Sequence, residues 1–298
     1  MINDNNGKIG IDAIKARMQD SVFLTKEEYT AIRTAAIETP VQDNVMINAF
    51  PAVNGANPFA TYHQYTKLDR YGTATESAIP GDAEAIEVDG TLVRVEVPFY
   101  HADFVINKFV SETMQGLGSS LDTLKVRAAT RKVNDLFDTA IYSKSSVFGS
   151  LGAVNLFTGT AAAAAVWSTA TNTAAAAKFN DVVNFKKGIP AAYQSENCRL
   201  VLEAVNYGEL AMVNDYGLSA ATLLKAAFPQ LQILVSGQVS HGAGLFYPFR
   251  DDAAYVFQGM PLQVLEWEVK PFEAKYKVVR SGRLIVPAPT AGLVLSGL

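Results

Sequence analysis

The sequence predicts an α+β fold. Strand-like and helical segments are mixed without the regular alternation of a parallel βαβ protein. One segment, from about residue 111 to 143, has sustained helical periodicity. A succession of strands, "AAYVFQ", "LQVLEWEV", "AKYKVVRSG" and "RLIVPAP", closes the chain.

Residues 1–48 read as an arm. Thr25 and Glu28 form a capping box, and Tyr29, Ile32, Ala36 and Ile37 follow at helical spacing until Pro40 ends the run. One thin apolar stripe is too little for an independent helix, so this one must dock on something else. Residues 49–61, "AFPAVNGANPFAT", are turn-rich.

Residues 62–100 form a hairpin arm, with "AIPGDAEA" as a loop within it. In "EAIEVDGTLVRVEVPFY", residues 84–100, Asp89-Gly90 is a strong signal for a two-residue type I′ turn. That turn would set Val88 opposite Thr91, Ile86 opposite Val93 and Glu84 opposite Val95. One face would carry Ile86, Val88, Val93, Val95 and Val97. The other would carry Ala85, Glu87, Arg94 and Glu96, with Glu87 and Arg94 as diagonal partners. A lone hairpin is marginal in water, so the apolar face must lie on its own domain or on a neighbouring subunit.

From about Ser111 to Ser143, Met114, Leu117, Leu121, Leu124 and Ala128 recur at three- and four-residue steps, followed by Val133, Leu136, Phe137, Ala140 and Ile141. Gly116 and Gly118 weaken the start, which places the firm helix from Ser119. Lys125, Arg127, Arg131 and Lys132 alternate with Asp122, Asp135 and Asp138, and this mixture of signs reads as a solvated face. "GSLGAVNLFTGTAAAAAVWSTATNTAAAAKF" reads as a surface loop leading to a helix near Phe179 to Lys187. "CRLVLEAV" is a buried strand, "YGELAMVN" and "SAATLLKAAF" are short helices, and "QLQILVS" is another strand.

Little in the chain suggests catalysis. His63, His101 and His241 lack metal-ligand spacing and read as structural or loop residues. Cys198 opens an apolar strand and reads as an inert thiol. No G-x-S-x-G, P-loop or H-E-x-x-H is present. "SGQVSHGAG" reads as a flexible loop, and Asp251-Asp252 as a turn. No catalytic, metal or cofactor-binding residue is expected, and no cofactor.

Charged residues make up 18% of the 298 and apolar ones 49%, fewer charges than the roughly 25% usual for soluble domains. Part of the surface is therefore expected to be covered in the working state. A net charge of −4 does not suit a nucleic-acid specialist or an anionic-membrane binder. One cysteine excludes an internal disulfide framework and fits a reducing cytoplasm. No secretory signal or bilayer-spanning stretch is seen, so a soluble intracellular protein is expected.

These elements, in this order, resemble the major capsid proteins of tailed bacteriophages, whose fold is shared with encapsulin shell proteins. The hairpin at 62–100 corresponds to the extended loop of that family, and the helix at about 111–143 to its spine helix. "GAVNLFTGT…VWST" is similar to the loop and Trp before the central domain. "LVLEAVNYGEL" and "TLLKAAFPQLQILVSGQV" resemble the entry into that domain and its later helix and edge strand. "MPLQVLEWEVKPFEAKYKVVRSGRLIVPAPTAGLVLSGL" resembles the closing strands.

The resemblance implies an N-terminal arm at 1–48, a peripheral domain at 49–61 and 101–195, an extended loop at 62–100, a central axial domain at 196–261, and a return to the peripheral domain at 262–298. It implies a major capsid protein that self-assembles through pentamers and hexamers into an icosahedral shell around packaged double-stranded DNA, as part of a virion assembled in a host cytoplasm. Its partners would be many copies of itself, a portal, and a separate scaffolding protein or none, since no long scaffolding segment precedes the arm. The DNA would be confined without specific contacts, and no membrane is involved. Ile86, Val88, Val93, Val95, Val97, Tyr29, Ile32 and Ile37 would make inter-subunit contacts. No lysine–asparagine cross-linking pair stands out; Lys67 is a weak candidate. The alternatives are an encapsulin-like compartment shell, a soluble enzyme or a phage tail protein.

Overall fold

The computed structural model describes residues 44–71, 87–107, 121–144, 152–165, 167, 174–214, 217–269 and 273–298. In chain order these form α1 (Val45–Ala49), β1 (Ala52–Asn54), β2 (Tyr62–Tyr71), β3 (Glu87–Glu96), β4 (Phe99–Asn107), α2 (Leu121–Tyr142), α3 (Ala153–Leu156), β5 (Gly159–Ala162), α4 (Ala174–Gly188) and α5 (Ala191–Gln194). Then follow β6 (Cys198–Leu202), α6 (Ala204–Ala211), α7 (Ala220–Ala227), β7 (Gln232–Val235), β8 (Ala243–Pro248), β9 (Tyr255–Val269), β10 (Glu273–Ile285), a 3-10 turn (Pro289–Ala291) and β11 (Leu293–Ser296).

Three sheets result, with strand orders β1-β9-β10-β4, β5-β11-β8-β6-β7 and β2-β3. The long helix α2 lies across β4 and β10. Its buried stripe is Ala129, Val133, Phe137, Ala140 and Ile141, packed with Tyr100, Val278 and Leu284. The Phe137 ring meets Tyr100 edge-on at 5.2 Å. Gly282 permits the approach, because a Cβ there would stand 2.9 Å from the Phe137 ring and 2.7 Å from the Phe257 carbonyl oxygen. From Leu121 on, the periodicity located this helix but misplaced three of its residues: Ala128 and Leu136 are exposed, and Asp138, expected on the solvated face, is buried. Met114, Leu117 and the expected start at Ser119 lie outside the described residues. A second core fills the five-stranded sheet and its helices, with Leu200, Leu202, Leu210, Leu224, Phe246 and Trp167. Ser219 starts α7 by accepting the Thr222 N–H at 3.2 Å, and the helix ends ahead of Pro229 as expected.

The Asp89-Gly90 turn is corrected. Both residues lie inside β3, which pairs antiparallel with β2 from Tyr62 opposite Glu96 to Tyr71 opposite Glu87. Val88 therefore faces Arg70, Val93 faces Tyr65 and Val95 faces His63, while Arg94 faces Gln64 and is not beside Glu87. The turn would pair only five residues per strand, whereas β2 offers a ten-residue ladder with Tyr–Val and His–Val pairs across it. Longer-range pairing wins over the local turn signal. The "AIPGDAEA" loop lies outside the described residues.

The four closing strands merge into two, β9 and β10. Breaks near Gly259 and at Ser281-Gly282 are absorbed as register shifts, where the Ser281 hydroxyl accepts the Met260 N–H at 2.9 Å. Two stretches expected as loops hold strands. β5 lies in the alanine-rich segment, and β8 begins at Ala243 within "SGQVSHGAG", after a turn at Gly242 with φ +76°.

Candidate functional site

The β2–β3 ribbon is rooted in the body of its own chain. Val97, 3% exposed, packs with Tyr255, Phe257 and Ile285, flanked by Val53 and Tyr65. His63 continues this seat: its ring lies 4.1 Å from that of Phe257, and its Nε2 shares a 2.9 Å hydrogen bond with the Tyr255 hydroxyl. Burial lowers the His63 pKa, which favours the neutral ring, and pushes the Tyr255 hydroxyl up to about 12. Backbone ties complete the root. The Val97 N–H donates to the Thr61 carbonyl at 2.8 Å, and Arg283 Nη1 donates to the Glu96 carbonyl at 3.0 Å.

Away from the root the ribbon has less cover. Among the described residues no other strand pairs with it. Val93 and Val95 are half-buried, while Leu92 on the opposite face is 62% exposed. Tyr62 is also exposed and carries the Arg94 guanidinium 3.7 Å above its ring, a diagonal cross-strand contact.

Two further surfaces are uncovered. At the far end of the four-stranded sheet, Val264, Trp267 and Val269 of β9 and Val105 of β4 stand in solvent, Trp267 at 62%. Lys277 lies 4.0 Å over the Trp267 ring, and Asp103 draws Lys275 and Lys277 to 3.3 and 3.7 Å. These partly exposed ion pairs contribute little stability, and they frame the apolar group with charge. At one end of the five-stranded sheet, Val205, Met212, Val213 and Leu218 are exposed around a tight turn. Asn214 holds that turn: its N–H donates to the Leu218 carbonyl, and its side-chain oxygen accepts the Leu218 N–H, both at 2.9 Å. Gly217 supplies the φ of +75° the turn needs. Beneath it, buried Lys178 donates to the Glu209 carbonyl at 2.9 Å, placing a cation at the C-terminal end of α6.

The expected contact residues divide. Val97 is buried within the chain, so it is corrected from inter-subunit contact to root. Val93 and Val95 remain partly open. Tyr29, Ile32, Ile37 and Ile86 lie outside the described residues, as does the side chain of Val88. Trp267, Val213 and Leu92, exposed in the structure, were not among the expected residues. Each reads in sequence as an ordinary strand or helix-edge apolar residue, and only its exposure in the fold marks it.

Cys198 is buried and its thiol is pushed up to about 11 by burial, as an inert group should be. It borders a cavity of about 240 Å³ walled by Val182, Phe228, Leu231 and Phe246, where Lys186 lies 4.6 Å over the Phe228 ring. His241 pairs with Glu203 at 3.1 Å on the surface. Among the described residues, no three His, Cys, Asp or Glu side chains are grouped to hold a metal, and no helix is long and apolar enough to cross a membrane.

No family model and no curated protein matches the chain. Solved structures do. The capsid of Myoviridae phage XM1 superposes with a TM-score of 0.72 at 14% identity, over 94% of this chain and 98% of that one. The capsid of an empty GTA particle gives 0.62 at 15% identity, covering 87% and 92%. A virus-like particle from Pyrococcus furiosus gives 0.51 at 12% identity, covering 84% and 91%. The likeness runs nearly end to end in each case, and it fixes the architecture: this chain has the phage capsid fold.

Proposed function

We propose that the chain is a capsid subunit that assembles with copies of itself, through pentamers and hexamers, into a closed icosahedral shell around double-stranded DNA. The observation that carries this reading is the end-to-end likeness to the phage XM1 capsid chain. Uncovered apolar side chains at three separate places, including Leu92, Trp267 and Val213, support it, because a shell subunit must meet neighbours on several sides.

In this reading residues 1–48 form the arm, its last residues seated in the body as part of α1, 62–100 the extended loop, and 49–61 with 101–195 and 262–298 the peripheral domain. Residues 196–261 form the central domain, whose Val205–Leu218 end gathers copies around the symmetry axes. The ribbon lies on an adjacent subunit. Many interfaces, each of roughly the 1,600 Å² standard class, would add up to a durable particle. A portal and a separate scaffolding protein are the further partners, and the DNA is confined without base recognition.

The likeness to the Pyrococcus furiosus virus-like particle favours a second reading, a protein compartment of the same fold. Contents separate the two: nuclease-protected DNA for a virus, an enclosed protein for a compartment. The decisive experiment expresses the full chain, alone and with a scaffolding protein, and sizes it by light scattering and negative-stain microscopy. Closed particles are expected. A stable monomer under every assembly condition overturns the proposal.

A further inference from the structure

Helix α1 connects residues 1–43 to the body, and it is wedged between two layers. Met46, Ile47 and Phe50 share one core with Phe137 and Ile141 of α2 and with Tyr247 of β8. At its N-terminal end Asn44 provides no side-chain cap. The acceptor comes from α2 instead: Asp138, 1% exposed, accepts the Ile47 N–H at 3.0 Å, and the Met46 N–H is also directed to it. At the other end the Tyr247 hydroxyl donates to the Ala49 carbonyl at 2.7 Å, and Arg199 Nη1 donates to the Asn48 carbonyl at 2.6 Å. A carboxylate at the start and a guanidinium at the finish both suit the helix dipole.

Two charged groups face Asp138. Asp135, on the same helix, disfavours its ionised form. Arg280 of β10 favours it, while donating through Nη1 to Asn134 Oδ1 at 2.9 Å. Helix α1 ("VMINA") and the adjoining β7 ("QILV") carry no titratable side chain. Burial prevails over the two N–H donors and Arg280, and it pushes the Asp138 carboxyl up to about 6.

We propose that α1 is a proton-responsive staple: seating α1 removes Asp138 from water, so seating and protonation favour each other, and the exit toward residues 1–43 is held more tightly in acid than above neutrality. This goes beyond the shell reading and stands without it. The sign follows from linkage. With α1 lifted, the carboxyl returns toward its ordinary value of about 3.9. The extra hold is complete below that value and is lost as the pH rises through about 6. It spans about a hundredfold at most in the seating equilibrium.

Amide hydrogen exchange on the full chain tests this, with rates corrected for the intrinsic effect of pH. Protection of a peptide covering residues 44–50 should fall about tenfold between pH 5 and pH 8, while β8 stays constant. Asp138→Asn keeps an acceptor oxygen and removes the titration, so its 44–50 protection should be flat across that range. Unchanged or rising wild-type protection overturns the staple, and so does a pH dependence that survives in D138N. Should D138N not fold, the wild-type series alone decides.

Discussion

The two halves of β9 share one strand yet have opposite surroundings. From Tyr255 to Met260 nearly every side chain is buried, while from Pro261 to Val269 most are exposed. The near half has β1 on its outer edge, paired at Val256 to Gln258, and α2 packs over the adjoining β10. Among the described residues, the far half pairs only with β10. Local sequence separates them only in part: "YVFQGM" carries no charge, whereas "PLQVLEWEV" has Glu266 and Glu268 yet also Leu262, Val264, Leu265, Trp267 and Val269, apolar enough for a core. What differs is whether the chain itself supplies a cover. The near half is covered by its own chain, and among the described residues the far half is not.

This contrast can be broken by substitution, starting from the largest effect. Phe257→Ala removes a ring that seats His63 and closes against Gly55, where a Cβ would stand 2.6 Å away. It should cost the subunit about 3–5 kcal/mol, measured by urea unfolding. Trp267→Asp in the far half, and Val213→Asp at the turn beyond α6, should leave subunit stability within about 1 kcal/mol and abolish particles in negative stain. If either unfolds the subunit, the exposed surfaces belong to its own core.

Val93→Lys probes the ribbon between its two regimes. Being half-buried, Val93 should cost about 1 kcal/mol on substitution and slow assembly without preventing folding, read by light scattering. The smallest effect is expected at Cys198. With its thiol held near 11 by burial, it should resist alkylation at pH 8 until urea unfolds the chain. Prompt reaction in the native subunit would mean that the cavity beside it opens.

Where a segment's own pattern decided its fate, the sequence was legible. The three- and four-residue steps of α2 and the stop before Pro229 are local signals with no strong competitor. Asp89-Gly90 is equally local, but β2 competes for the same backbone and takes it. The alanine-rich segment failed for a related reason. Asp181, on α4, accepts the Ala164 and Ala165 N–H groups and the Trp167 indole N–H, each at 3.1 Å, and fixes a stretch that has no charge of its own. Asp138 misled in the same way, since a carboxylate facing inward is explained only by the backbone of α1. For the site, low charge led to the expectation that some surface is covered, but it names no residue. Whether an apolar strand residue is covered by its own chain depends on tertiary neighbours, as buried Val97 and exposed Trp267 show from opposite sides.

The ribbon's proportions have a mechanical consequence. Ten paired residues at about 3.3 Å each make a beam of roughly 33 Å, clamped at one end by His63, Val97 and Arg283. Tilting the clamp by about 10° would sweep the far end through about 6 Å, a modest strain near the hinge traded for a wide arc at the tip. In the proposed shell, one sequence would thus reach partners standing at several different angles.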